Sequence, residues 1–155
     1  MKKVLLLIFL LITGISSAQK TSSNKPELAK EILDGFVLDA ENRGIEVKQR
    51  LSTITKILFL PGAKNEHWHK DGICTITINS NVNEPYELIF RAYHEIGHHL
   101  GLEDCALCSY NIMAAIKTGK TDYLFNNNPV RSLYLDIYFE AIRNPKKYNN
   151  GHTHY

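Results

Sequence analysis

The sequence has almost no excess of charge of either sign. It contains 18 Lys and Arg residues against 16 Asp and Glu residues. Lys2 and Lys3 precede every acidic residue, so the chain from residue 19 onward carries 16 basic and 16 acidic residues. Protein affinity for nucleic acid depends largely on neutralising phosphates with basic side chains. We therefore expect no nucleic-acid partner.

The sequence also lacks a hydrophobic run long enough to stay in a membrane. The apolar run from Val4 to Ile12 is about half of the roughly 20 residues that a spanning helix needs. Two lysines precede it and Ser16-Ser17-Ala18 follows, which is the three-part pattern of a secretory signal peptide. We predict a signal peptide over residues 1–18, cleaved after Ala18. The mature protein is then expected to be secreted or periplasmic, without membrane contact.

The sequence contains no internal repeat. With 155 residues, 44% of them apolar, it has the size and composition of one domain with a single core. Polar stretches at its ends predict a flexible segment over residues 19–25 and a flexible tail over residues 146–155. The folded domain is expected to span residues 26–145.

A second CxxC motif is missing. Cys105 and Cys108 form a CxxC, and Cys74 is the remaining cysteine. Without a second CxxC or a thioredoxin-like βαβ pattern, a structural disulfide or free thiols are favoured over a redox centre or half of a zinc site. In an oxidising compartment the simplest count is one disulfide and one free thiol, and the sequence leaves the pairing open.

Hydrophobic periodicity predicts both helices and strands. Apolar residues at helical spacing follow Pro26 and end at Gly44, which predicts a packing helix. Residues 51–60 and 72–79 are rich in Ile, Leu and Thr and predict two strands. Between them we predict a loop that contains His67-Trp68-His69.

A last helix is predicted from about Pro129 to Arg143. Its apolar side is assigned to four residues, with two tyrosines flanking them: Leu133, Ile137, Phe139 and Ala141, then Tyr134 and Tyr138. We expect this helix to pack under the functional site. The predicted fold class is α+β.

The helix before Gly101 has two distinct stripes. Asn83 or Glu84 can cap it, and Pro85 fits its first turn. One stripe is apolar and the other polar, consisting of Ile89, Tyr93, Ile96 and Leu100, and of Glu87, Arg91, His94 and His98. Histidines on a polar stripe are better candidates for ligands than histidines on an apolar one. Gly101 is the expected left-handed residue that ends the helix.

The spacing of this segment predicts a metal site. His94 and His98 are one helical turn apart, so their imidazoles can hold one ion at two corners of a tetrahedron. Glu95 is placed to reach a water on the metal rather than the metal itself, as a general base must. A catalytic zinc site has three protein ligands and a water. Gly101 lets the chain turn back, and Asp104 arrives where a third ligand is needed.

These residues resemble a known family. The motif His94-Glu95-x-x-His98-x-x-Gly101-x-x-Asp104 resembles the metzincin metallopeptidases, in the variant with Asp in place of the usual third His, as in the snapalysins. The segment Tyr110-Asn111-Ile112-Met113-Ala114 looks like the methionine turn that lies beneath the metal in that family. Strict correspondence runs from His94 to Met113. No Tyr stands two residues after Met113, so we assign no second catalytic residue.

The resemblance implies a fold and a mode of substrate binding. The fold is a small metzincin-like zincin domain, with a mixed twisted sheet, an active-site helix, a packing helix and a C-terminal helix. It also implies a cleft in which a peptide lies extended along an edge strand of the sheet. By chain order, Cys74 to Ile78 is our candidate for that strand.

The implied function is that of a secreted zinc-dependent endopeptidase. Its Zn²⁺ cofactor is held by His94, His98 and Asp104, and a metal-activated water hydrolyses the peptide bond with Glu95 as general base. The expected partner is a polypeptide substrate. The alternative is a non-hydrolytic, zinc-binding secreted interaction module, which has no need of a carboxylate at Glu95. Substrate preference, the restraint of activity and the oligomeric state are left open.

Other histidines are assigned no ligand role. His67 and His69 have the spacing of alternate residues in an extended loop and can bind a second ion, but a solvated or substrate-rim position is favoured. His99 lies off the ligand stripe and is interpreted as a partly exposed helix residue. His152 and His154, near the terminus, are expected to have no fixed contacts.

Overall fold

The computed structural model describes residues 26–81, 85–105, 111–114 and 128–151. The predictions for residues 1–25, for the helix cap at 82–84, for Cys108 and Tyr110, and for residues 152–155 concern residues outside these ranges. Among the described helices, none combines the length and the apolar character needed to cross a membrane. The described residues form an α+β fold with a small mixed sheet.

Along the described residues, two helices precede three strands and three further helices follow them. In chain order the described elements are α1 (Pro26–Glu41), α2 (Lys48–Leu51), β1 (Ile54–Leu60), β2 (Glu66–Lys70), β3 (Ile73–Asn79), α3 (Pro85–His99), α4 (Asn128–Arg143) and α5 (Pro145–Gly151). The predicted packing helix, motif helix and final helix are confirmed as α1, α3 and α4. Gly44, beyond the end of α1, has the left-handed φ of 67° that only glycine adopts readily.

The sheet has the order β1-β3-β2. Strand β1 runs parallel to β3, and β2 runs antiparallel to it, so β3 is the central strand. Its residues from Cys74 to Ile78 are all buried, including both threonines, and strands flank β3 on both of its edges. The prediction that Cys74 to Ile78 form an edge strand is therefore wrong.

Two predictions about the strands need correction. Strand β1 begins at Ile54 rather than Leu51, because Leu51 belongs to the short helix α2 and is buried there. The predicted loop around His67 and His69 is strand β2, which forms a hairpin with β3. Asp71 and Gly72 make the two-residue turn with φ of 53° and 77°, and an Asp-Gly pair is a strong hairpin signal that the sequence prediction did not use.

The core is built around aromatic side chains from three helices. The ring of Phe36 in α1 lies 4.9 Å from Tyr93 in α3 and 5.1 Å from Phe139 in α4. Tyr138 is also fully buried, and its hydroxyl donates a hydrogen bond to the backbone oxygen of Tyr93. These contacts fix α4 beneath α3, as predicted.

The predicted apolar side of α4 is partly wrong. Leu133 and Ile137 are exposed, whereas Tyr134 and Tyr138 are completely buried. The tyrosine rings remove more apolar surface from water than the aliphatic side chains do, and the Tyr138 hydroxyl has a backbone partner in the core. The helix therefore turns its tyrosines inward.

The predicted flexible tail is also different in the structure. Residues 145–151 form helix α5, and Tyr148 packs against the core. Asn149 accepts a hydrogen bond from the backbone N–H of Glu103 and donates one to the carbonyl of Gly101. Its side chain thereby satisfies backbone groups that the turn after α3 would otherwise leave unpaired. Helix α5 thus holds the turn that follows α3.

Gly97 permits a close approach between α3 and the side chains of Met113 and Tyr138 that support it. A Cβ there would overlap the sulfur of Met113 and lie 3.1 Å from the Tyr138 ring. We expect Gly97→Ala to lower the free energy of unfolding by about 1–3 kcal/mol, since overpacking outweighs the better helix propensity of Ala. The matched control is Gly35→Ala in α1, where a Cβ meets only the Tyr93 hydroxyl at 3.6 Å. Urea unfolding in which both variants gain stability would contradict this packing.

Candidate metal centre

Helix α3 presents His94 and His98 side by side. The two rings are nearly perpendicular, with centroids 4.7 Å apart, and their Nε2 atoms are 3.1 Å apart. The polar stripe is not a solvated face, since His94 is only 5% exposed. Arg91 on the same stripe donates a hydrogen bond to the carbonyl of Asn79, which ties α3 to the end of β3. The stripe therefore faces the interior and the sheet.

Gly101 reverses the chain after α3. Its φ of 93° is left-handed, as predicted. The N–H of Gly101 bonds to the carbonyl of His98, and the N–H of Leu102 bonds to that of Gly97. This pair of bonds is the Schellman pattern that ends many helices. The reversal brings Asp104 back over the two histidines.

The three predicted ligands converge on one point. Asp104 Oδ1 lies 3.2 Å from His94 Nε2 and 3.4 Å from His98 Nε2. A tetrahedral ion with bonds of about 2.0–2.1 Å separates its ligand atoms by about 3.3–3.4 Å. The triangle formed by these three atoms has nearly these dimensions. The geometry is compatible with one metal ion in contact with all three atoms.

Backbone carbonyls fix the orientation of both rings. His94 Nδ1 lies 2.8 Å from the oxygen of Ile112, and His98 Nδ1 lies 2.9 Å from the oxygen of Leu102. A carbonyl only accepts hydrogen bonds, so each Nδ1 carries the proton and each Nε2 of a neutral ring presents a lone pair. Burial lowers the pKa of His94, which favours its neutral form.

These tautomers make the triangle electrostatically unfavourable by itself. Two imidazole lone pairs and a carboxylate oxygen face one another at hydrogen-bond distance, with no proton to share between neutral rings. A cation at the centre converts this repulsion into attraction. Imidazoles held by a carbonyl on the other nitrogen are also the usual arrangement around protein-bound metals. The donor set thus fits a bound metal ion.

The turn containing Met113 supports the centre from below. Met113 N–H bonds to the side-chain oxygen of Asn111, and Ala114 N–H bonds to the Asn111 carbonyl, which closes a tight turn. The neighbouring Ile112 supplies the carbonyl that orients His94. Met113 is fully buried against Gly97, between the two ligand positions on α3.

The Met113 turn is linked to the segment that carries Asp104. The N–H of Cys105 bonds to the carbonyl of Met113 at 2.7 Å, and Cys105 pairs with Ala114 in an isolated bridge. Cys105 is in a disulfide, and Cys74 is the free cysteine among the described residues. The residue after Asp104 is therefore held both by the backbone and by a covalent bond.

Glu95 is buried beside the triangle without belonging to it. It is 4% exposed. Burial and then the negative charges of Asp104 and Glu66 raise the pKa of Glu95 to about 7. A carboxylate with a pKa near neutrality is suited to accept and return a proton.

Strand β2 lies against α3 and brings His67 to Glu95. His67 Nδ1 is 3.8 Å from Glu95 Oε2, and the His67 ring stacks on His98 with centroids 5.3 Å apart. Burial and the neighbouring His98 lower the pKa of His67, which favours the neutral form of the ring beside Glu95. We predicted that His67 lies in a loop. The alternation of side chains with a period of two residues over Glu66–Lys70 is the signal that could have placed His67 in a strand.

The predicted site residues are thus brought together, with Glu95 next to the triangle of His94, His98 and Asp104. His67, which was not predicted to belong to the site, lies beside them. The chain matches no protein-family model, and neither curated proteins nor solved structures provide a match. Function is therefore inferred from the side chains of the site.

Substitution of Asp104 tests the triangle directly, because its side chain is the most exposed of the three candidate ligands. We expect Asp104→Ala to weaken metal binding at this centre by more than about 100-fold, since losing an outer-shell partner alone costs about 10- to 100-fold. Isothermal titration with Zn²⁺ measures the effect. The control is Glu103→Ala, which removes the adjacent exposed carboxylate but keeps the backbone bond to Asn149. Wild-type binding by both variants would rule out the triangle as the ligand set.

Proposed function

We propose that the protein is a secreted zinc metallopeptidase of the metzincin type that cleaves within polypeptides. The observation that carries the proposal is the triangle of His94, His98 and Asp104 with the buried carboxylate of Glu95 beside it. A metal-binding group needs only the triangle. The additional buried acid, outside the ligand set, favours hydrolysis.

Zinc is the metal that suits these donors best. Two imidazoles and one carboxylate, leaving a fourth position for water, make up a known type of catalytic zinc site. When bound, zinc supplies Lewis-acid chemistry, because it acidifies water and polarises a carbonyl oxygen. His94, His98 and Asp104 are the residues that would hold it.

Glu95 performs the proton transfers in this proposal. Its buried carboxylate takes the proton of the attacking water and then gives it to the leaving amine, which completes hydrolysis of the amide. Because Glu95 lies on the sheet side of α3, next to His67 of β2, the substrate carbonyl must approach between this helix and that strand.

Strand β2 is the surface proposed for an extended substrate. It is paired with β3 along one edge, and the described residues leave its other edge unpaired. A peptide can add to an open strand edge through backbone hydrogen bonds, with little dependence on its sequence. Since His67 of this strand adjoins Glu95, a peptide bound along β2 passes the general base. This strand replaces Cys74 to Ile78 as the candidate.

The metzincin fold and the export of the protein are parts of the proposal. The fold is supported by the mixed sheet with an antiparallel edge, by Gly101 at the end of α3 and by the Met113 turn beneath α3. Export is supported by the sequence pattern of residues 1–18.

The decisive variant is Glu95→Gln, which keeps the shape of the side chain but removes the proton acceptor. We expect its kcat for cleavage of casein to fall by about 10²- to 10⁴-fold, the usual contribution of general acid–base catalysis. Zinc content should stay at the wild-type level, because Glu95 is not a ligand. Glu103→Gln is the matched control and should retain full activity.

Each outcome of this comparison has a defined meaning. Activity lost in Glu95→Gln with metal retained supports the peptidase. A wild-type protein that binds zinc tightly but cleaves neither casein nor a peptide library would contradict it and favour the zinc-binding interaction module. A protein without zinc affinity would overturn both.

A further inference from the structure

Three potential metal ligands meet at a second place, outside the triangle. They are His69, Cys74 and His99, and their ligand atoms all lie within 4.8 Å of one another. None of them has a role in the proposed hydrolysis. Their proximity could not be read from the sequence, which places them on three separate elements.

The sheet register explains why the side chains of His69 and Cys74 meet. The two residues are directly opposite each other in the antiparallel pair of β2 and β3. Opposite residues of such a pair project from the same face, with their Cβ atoms about 4.5–5.5 Å apart. His99 is the last residue of α3, and its ring stacks on His69 with centroids 5.2 Å apart and planes 18° apart.

The hydrogen bonds of His99 leave one of its ring nitrogens available as a metal ligand. His99 Nε2 lies 2.9 Å from the backbone oxygen of Arg50, a carbonyl that can only accept, so Nε2 carries the proton of the neutral ring. The other ring nitrogen, Nδ1, then presents a lone pair. This atom is buried and has no hydrogen-bond partner within the described ranges. A buried acceptor without a partner is unfavourable, and such groups are uncommon in native proteins.

Cys74 adds a soft ligand that is otherwise unused. It is completely buried and is the free cysteine among the described residues. A thiolate with two imidazoles suits borderline-soft ions such as Zn²⁺ or Co²⁺, whereas Mg²⁺ and Ca²⁺ require oxygen ligands. His69 is exposed and lies on the edge strand, so an ion can enter from solvent on its side.

We propose that His69, Cys74 and His99 form a second metal site, which binds a borderline-soft divalent ion such as Zn²⁺. The bound ion links edge strand β2, central strand β3 and the last turn of α3. In a tetrahedral site with Zn–S of about 2.3 Å and Zn–N of about 2.0–2.1 Å, ligand atoms are about 3.3–3.6 Å apart. Binding therefore draws the exposed His69 ring inward toward Cys74 and His99.

The two metal sites are neighbours. His98 and His99 are adjacent in α3, and the rings of His67 and His69 on β2 are 5.7 Å apart. The second ion would hold β2 against α3 next to the strand position that adjoins Glu95. The ligand sets are nevertheless separate, so each site can be removed alone.

Cobalt distinguishes the two sites because only the second contains a thiolate. The metal-free full chain, with Cys74 reduced, is titrated with Co²⁺ alone and followed by absorption. We expect a thiolate-to-cobalt charge-transfer band that saturates by two equivalents in the wild-type chain and at one equivalent in Asp104→Ala. The band should persist in Asp104→Ala, which disables the triangle, and should be absent in Cys74→Ser.

His69 provides the variant that is safest for folding, because its side chain is exposed. We expect His69→Ala to weaken the affinity behind the charge-transfer band by at least tenfold, whereas Trp68→Ala, an exposed neighbour on the opposite face of β2, should leave it unchanged. Absence of the band in wild type and in Asp104→Ala would overturn the proposal, as would a band unaffected by His69→Ala. If the triangle does not bind metal, only the cobalt binding that produces no charge-transfer band is lost. That outcome is therefore distinguishable from failure of the second site.

Discussion

The candidate site depends on three electron-rich atoms that the surrounding fold holds close together. His94 Nε2, His98 Nε2 and Asp104 Oδ1 lie within 3.4 Å of one another, although the carbonyls of Ile112 and Leu102 require both nitrogens to be unprotonated in neutral rings. Left alone, this arrangement is repulsive. The surrounding elements hold each group from behind, and our proposal places a divalent cation among the three atoms.

The supporting contacts come from regions distant in sequence. Met113 and Tyr138 pack against Gly97 and set the height of α3 above α4, while the Met113 carbonyl holds Cys105 next to Asp104. Asn149 of α5 secures the turn after α3 through both its donor and its acceptor. The last helix of the described fold thereby helps to position a site whose ligands all lie within the sequence motif.

The sequence predicts what depends on local spacing. Helical periodicity located α3, the left-handed requirement located Gly101, and one-turn spacing placed His94 beside His98. Prediction from the sequence failed where contacts between residues distant in the chain determine the structure. Tyr138 of α4 points inward, where its hydroxyl meets the backbone oxygen of Tyr93. Strand β3 is central because β2 pairs with it through the Asp71-Gly72 turn. The contacts of His67, His69 and His99 follow from that hairpin.

The central claim is that His94, His98 and Asp104 hold a metal ion while Glu95 does not. Anomalous diffraction at the zinc absorption edge, from crystals of the protein grown with Zn²⁺, tests it most directly. The account predicts a peak about 2.0–2.2 Å from the two Nε2 atoms and from an Asp104 oxygen, with the Glu95 carboxylate outside bonding distance. A triangle without a peak, or a peak bonded to Glu95 in place of Asp104, would contradict it.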